Sequence, residues 1–203
     1  FPITPAYARE NKFFTRYCLM AKLPYVSREE LSEDKLHIYD HISETRGNVL
    51  NIFRTLLNSP DAAEVVTAVG EYIRFKSLLD PITREITILS VARETNAVYE
   101  WAQHEPIARS EGVSLSTIDA IRSGRAPMGI PAKEGIFAQA AREIVQKGEM
   151  TNRTYQAVEH LLGPVQTLDL VVLVGYYTLL ANIMRTFAVE IEDGVNVNFP
   201  DLA

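Results

Sequence analysis

Residues 82–112 read ITREITILSVARETNAVYEWAQHEPIARSEG, and the fold turns on how this run is parsed. Its apolar residues recur every three to four positions, which is the period of an amphipathic helix rather than of a strand. The spacing predicts two helices joined by a short turn near Thr95-Asn96. On the first, Ile88, Leu89 and Ala92 follow Glu85 at helical spacing and share its face. On the second, Glu100 and His104 lie four residues apart and therefore on one face, flanked by Ala97 and Trp101. Two carboxylates and an imidazole can converge beside an aromatic wall, which is the material for proton transfer near neutral pH.

The pattern Arg84-Glu85-Ile86-x-Ile88-Leu89-x-Val91-Ala92-Arg93, then Tyr99-Glu100-Trp101-x-x-His104, then Ala108-Arg109-x-x-Gly112, resembles the carboxymuconolactone decarboxylase and alkylhydroperoxidase D-like superfamily. The resemblance is strongest over residues 80–121 and extends more loosely from Pro24 to about Glu190. It implies an all-α, multi-helix bundle that assembles as a homo-oligomer, commonly a trimer or hexamer, with sites near subunit interfaces. It also places Asn51 and Phe53, in an N-I-F segment, on the pocket wall. For Phe53 the residues alone leave core and wall equally open.

The departures matter as much as the match. The peroxidase branch carries C-x-x-C, three further residues and a histidine. Aligned on His104, those cysteine positions hold Ala97 and Glu100, and the upstream family glutamate falls on Glu85. Thiol-dependent peroxide reduction needs a thiolate and a resolving partner. The only cysteine is Cys18, far upstream. A cysteine-free acid–base reaction, as in the lactone decarboxylase branch, fits better. In that reading His104 is the general acid/base, Glu85 orients it, and Glu100 is a second acid/base or a substrate ligand. Read without the resemblance, each residue has a plainer role. Glu85 pairs with Arg84, Arg93 or Arg109, since buried charges are normally paired. His104 and Trp101 pack, Trp101 in the core or at an interface, and Glu100 is a salt-bridge partner of His104.

Composition sets the outer bounds. The 203 residues, 47% hydrophobic, suit one domain with a substantial core. A net charge of −6 and the lack of a basic run with interleaved aromatics argue against nucleic-acid binding. The single cysteine excludes an intrachain disulfide framework, and no basic-then-apolar leader opens the chain, so a cytoplasmic location is expected. The chain opens at Phe1 rather than Met, which points to missing or processed preceding residues. The apolar run 168–184 is interrupted by Asp169, Gly175 and Asn182, and reads as a buried or interface helix rather than a membrane span.

Elsewhere the chain reads as further helices around one domain, 27–190, with an arm at 1–26 and an acidic, extended tail at 191–203. In the arm, Phe13, Phe14, Tyr17, Leu19 and Met20 have loose helical spacing, and Cys18 reads as a packed side chain. Ser27 and Glu30 form a capping box ahead of a helix that ends near Arg46-Gly47. His37 and His41 could pair on a metal, but no third ligand has motif spacing, so no metal is expected. Ser59-Pro60 and Asp80-Pro81 are helix starts. Val65, Val66, Val69, Tyr72, Ile73 and Phe75 are expected to form an apolar face. Pro106 predicts either a kink just past His104 or a helix that breaks and restarts. Residues 122–131 form a loop, and Ala132–Lys147 a helix. His160 is expected to cap a helix C-terminus.

The functional expectation is an enzyme without metal or organic cofactor, acting on a small carboxylated or lactone molecule by decarboxylation or isomerisation. A peroxide-defence protein that uses Cys18 and a non-catalytic binding protein are the alternatives. The expected partners are the small-molecule substrate and copies of the chain itself, with no nucleic acid and no membrane.

Overall fold

The structure is a computed structural model that describes residues 21–125 and 128–199. The expected helix in the arm, with Cys18, lies outside the described residues. So do the end of the tail and positions 126 and 127 of the 122–131 loop.

The central element is α4 (Pro81–Glu94). Asp80 caps it, accepting from the Thr83 amide at 3.0 Å, and Pro81 supplies a pre-set φ at its first position. Nearly every side chain from Thr83 to Ala92 is buried, because α4 packs against α5, α7 and α8 at once. A turn through Asn96, in the left-handed region at φ 55°, reverses the chain into α5 (Val98–Ser110). Asparagine tolerates that conformation better than most residues. α5 runs through Pro106 as one helix, so the alternative of a break and restart does not occur.

The remaining helices wrap this pair. α1 (Leu36–Arg46) stops at Gly47, whose φ of 80° ends the helix. The Ser27–Glu30 box closes a separate 3-10 turn, Arg28–Glu30, and α1 starts six residues beyond that box at Leu36. α2 (Asn51–Leu56) and α3 (Pro60–Glu71) follow, and α3 ends in one π turn, Tyr72–Lys76. α6 (Leu115–Arg122) is capped by Ser114, and α7 is Ala132–Lys147 as expected. α8 (Asn152–Phe187) contains a break at Gly163, φ 74° and ψ 172°, just before Pro164. Among the described residues no strand forms.

One expectation about apolar faces needs correction. On α3 and the π turn the inward positions are Ala63, Thr67, Gly70 and Ile73, while Val65, Val69, Tyr72 and Phe75 are exposed. The small inward residues let α3 sit close to its neighbours, and the larger aliphatic ones are left outside. α8 divides likewise. Leu170, Leu173, Val174, Tyr177 and Ala181 face the bundle, whereas Val165, Leu168, Val171, Val172 and Leu179 do not. This helix is long and apolar enough to cross a membrane, but 56% of its apolar window is buried inside the bundle.

The tail is more than an extended acidic end. Glu192 accepts from Tyr99 Oη at 2.5 Å, Gln103 Nε2 at 2.6 Å and the Asn51 amide at 2.8 Å. Phe199 packs edge-on to Trp101, with ring centroids 5.5 Å apart.

Candidate active site

Glu85 leaves the middle of α4 with 0% exposure and meets His104 from α5. Glu85 Oε2 lies 2.8 Å from His104 Nδ1. Burial pushes the Glu85 carboxyl up, but the charge and hydrogen bond of His104, with Arg74 and Arg84, outweigh it and hold the group below its ordinary value. An ionised carboxylate only accepts hydrogen bonds, so Nδ1 carries the proton. That leaves Nε2 as the working nitrogen: a lone pair in neutral imidazole, an N–H donor in imidazolium.

Nε2 faces Glu100, whose Oε2 is 3.7 Å away, just beyond hydrogen-bond reach. Glu100 is 5% exposed. Burial pushes its carboxyl up to about 7; His104, Arg74 and Arg46 pull down while Glu85 pushes up. Two glutamates thus sit on either side of one imidazole, one held ionised and one poised to exchange a proton near neutrality. The Tyr177 ring meets the imidazole edge-on at 5.2 Å and 90°, which fixes the ring plane. Its own hydroxyl is held protonated by burial.

Glu100 and His104 open onto a cavity of about 420 Å³. Phe53, Tyr99, Tyr176 and Tyr177 supply its aromatic surface, Leu50, Ile52, Ile107 and Leu180 its aliphatic surface, and Arg46, Arg74 and Gln103 its polar one. The cavity is therefore bounded by the end of α1, α2, α5, α8 and the π turn after α3.

Of the six residues expected at the site, four are brought together: Glu85, Glu100 and His104 as a chain of side chains, and Phe53 on the wall. Phe53 is also core, at 5% exposure. Asn51 and Trp101 do not line the cavity, and those two expectations are corrected. Asn51 begins α2, where its backbone amide and side chain are taken by Glu192 and the Glu190 carbonyl. Trp101 is fully buried, with its indole N–H donated to Glu105 at 3.0 Å and its ring against Arg122 and Phe199. Of the three arginines expected as partners of Glu85, Arg84 pairs with it, Nε to Oε1 at 3.5 Å, while Arg109 bonds Glu105 and Arg93 bonds the Arg122 carbonyl. His37 and His41 face Glu64 and Glu71 on the exposed side of α1. Sequence reasoning missed Arg46, Arg74, Tyr176 and Tyr177. The tyrosine pair in an apolar helix was the only signal available for the last two.

The model of the carboxymuconolactone decarboxylase family matches residues 60–143, which include α4 and α5. No curated protein matches the chain. Among solved structures, a peroxidase-related protein of Ralstonia eutropha JMP134, described as an alkylhydroperoxidase AhpD core, superposes with a TM-score of 0.72 at 17% identity, covering 85% of this chain and 93% of that one. A peroxidase-related protein of Silicibacter sp. TM1040 gives 0.69 at 13% identity, over 85% and 91%. The debrominase Bmp8, as a cysteine-to-alanine variant in complex with 2,3,4-tribromopyrrole, gives 0.65 at 11% identity, over 84% and 91%. At these identities the likenesses establish the fold alone.

Proposed function

We propose that the chain, whose residues 60–143 match the carboxymuconolactone decarboxylase family model, is a cofactor-free acid–base enzyme of that family acting on a small carboxylated or lactone substrate. The observation that carries the reading is the ionised Glu85 on Nδ1 of His104, with Nε2 turned toward Glu100 at the cavity.

In a decarboxylation at this site the C–C bond to the carboxylate breaks and CO₂ leaves. The electron pair passes into a conjugated carbonyl as an enolate, and a proton returns to carbon. His104 Nε2 or the Glu100 carboxyl delivers that proton, and the other partner replenishes it. Glu85 stays ionised and holds the imidazole in the productive tautomer. An isomerisation uses the same groups, with removal at one carbon and delivery at another.

A thiol-based peroxide reaction is disfavoured on chemical grounds. The two positions of the family's cysteine pair are Ala97 and Glu100, and the only cysteine, Cys18, lies outside the described residues. The alternative needs Cys18 and predicts a peroxidase rate that falls in Cys18→Ser. The non-catalytic reading would be favoured by a closed, filled site around His104, and the cavity there is open.

We further propose that the protein works in the cytoplasm as a homo-oligomer, a trimer or hexamer, joined through the exposed apolar residues of α3 and α8. The test of the reaction is incubation with a panel of carboxylated muconolactones, following CO₂ release and the ultraviolet spectrum. Turnover in the wild type that falls about 10²–10⁴-fold in His104→Ala supports the acid–base reading. Equal turnover in both proteins sinks it.

A further inference from the structure

Several arginines in this molecule are matched with carboxylates, and others, such as Arg54, Arg93 and Arg185, bond backbone carbonyls. Arg28 meets Asp40 at 2.6 Å, Arg109 and Arg122 share Glu105 at 2.6 and 2.8 Å, and Arg142 meets Glu94 at 2.7 Å. Arg46 and Arg74, both on the cavity lining, are the contrast. Neither forms an ion pair among the described residues, although both are partly buried. Arg46 lays its guanidinium over the Phe53 ring at 4.6 Å and reaches the Thr67 carbonyl at 3.4 Å, while its Nε is buried with no hydrogen-bond partner. The Tyr176 hydroxyl, on a side chain 6% exposed, is likewise buried without one.

These groups converge. A Cβ placed on Gly70 would meet Tyr176 Oη at 2.2 Å and Arg46 Nη2 at 3.0 Å, so the bare α-carbon of Gly70 leaves room for both. Arg74 comes from the π turn that immediately follows, a rare local geometry found disproportionately at functional sites. A cation removed from water normally requires a counter-charge. The acids that face these two are Glu85, which already serves His104, and Glu100, which burial holds partly protonated near neutrality. Glu85 is thus shared between His104 and Arg84, and neither acid forms an ion pair with Arg46 or Arg74.

We infer that Arg46 and Arg74, with the Tyr176 hydroxyl, form a subsite for the carboxylate of a small organic acid. A guanidinium presents parallel N–H donors that match the two oxygens of a planar carboxylate. The hydroxyl supplies a further donor, and the stacked Phe53 holds the fork in place. The aliphatic and aromatic remainder of the lining suits the body of an organic acid better than it suits a bare inorganic anion. The inference takes the cavity to be the substrate site of the proposed acid–base reaction and draws its meaning from that reading, but its test does not depend on turnover.

The test is isothermal titration of the full chain with benzoate, with uncharged benzamide of nearly the same shape, and with inorganic phosphate. Benzoate is expected to bind at least tenfold more tightly than benzamide and more tightly than phosphate. Arg46→Gln and Arg74→Gln should each weaken benzoate at least tenfold. Should Arg46→Gln fail to fold, Arg46→Lys keeps the charge but loses the fork, and is expected to weaken benzoate severalfold. Benzoate binding no tighter than benzamide, or indifferent to both arginines, overturns the subsite. Tighter phosphate binding overturns the carboxylate assignment. Benzoate binding that follows the arginines in a protein that turns over nothing leaves the subsite standing and removes the acid–base reading instead.

Discussion

Glu85 and Glu100 are the same side chain shifted in opposite directions from its ordinary value, and the difference lies in their neighbours. Glu85 accepts a charge-assisted hydrogen bond at 2.8 Å; Glu100 is as deeply buried and has its nearest cation 3.7 Å off. Their effects on stability therefore have opposite signs. The carboxyl of Glu100 is raised from its ordinary 4.5 to about 7, so the folded state binds its proton more tightly than the unfolded chain does. Its contribution is fully present below pH 4.5, is lost as pH rises through 7, and amounts to about 3 kcal/mol. Glu85 is lowered, so its contribution is present above pH 4.5 and is lost as pH falls through its folded value. Urea unfolding at pH 8 should thus find Glu100→Gln more stable than wild type and Glu85→Gln less stable by about 1–3 kcal/mol. At pH 4.5 the Glu100→Gln gain should have vanished. A gain that is independent of pH removes the assignment of Glu100. Much of this site was legible beforehand, because helical spacing alone puts Glu100 and His104 on one face. Arg46, Arg74 and Tyr176 were not, since periodicity relates positions within one helix and says nothing of what three separate elements bring to a shared cavity.

Elements were legible where capping chemistry or a long apolar period marks them. Asp80-Pro81, Ser114 and Thr151 start helices as their side chains predict, and α7 has the expected bounds. The failures have physical causes. Asn51 was assigned to the wall, yet it is the first residue of a helix of six, and the tail takes its polar groups. The tail itself carries no periodic signal, because one glutamate with three donors holds it. Replacing that residue, as in Glu192→Ala, leaves Tyr99, Gln103 and the Asn51 amide unmatched, and should cost about 1–3 kcal/mol in thermal unfolding. It should also expose the chain beyond Phe187 to limited proteolysis. A tail as resistant as in wild type would show that the latch is not what holds it. Gly70 works at the same scale. Its backbone is ordinary, so Gly70→Ala is a purely steric change against Tyr176 and Arg46, expected to destabilise by about 1–3 kcal/mol.

Taken as a whole, the molecule buries its chemistry and leaves a set of large apolar side chains on α3 and α8 outside. Val65, Val69, Tyr72, Phe75 and Leu78 are exposed along α3 and the turn beyond it, as are Val165, Leu168 and Val172 on α8. The two sets are neighbours, because Tyr72 donates to Asp169 across the join at 2.8 Å. Single exposed leucines need no explanation, but a contiguous apolar face on an otherwise acidic protein points to a partner. The sequence already hinted at this in a last helix apolar nearly all round, one side of which the bundle uses and the other it does not. Self-association should bury this face, and Phe75 carries it to the rim of the cavity. Light scattering on the size-fractionated protein should therefore give a mass three or six times 22.8 kDa. Leu168→Glu, which places a charge at 64% exposure without touching the bundle interior, should return the chain to a monomer with its helical circular dichroism intact. A wild type that elutes as a monomer at every concentration would refute the interface. A Leu168→Glu protein that stays assembled would place the interface on a different face.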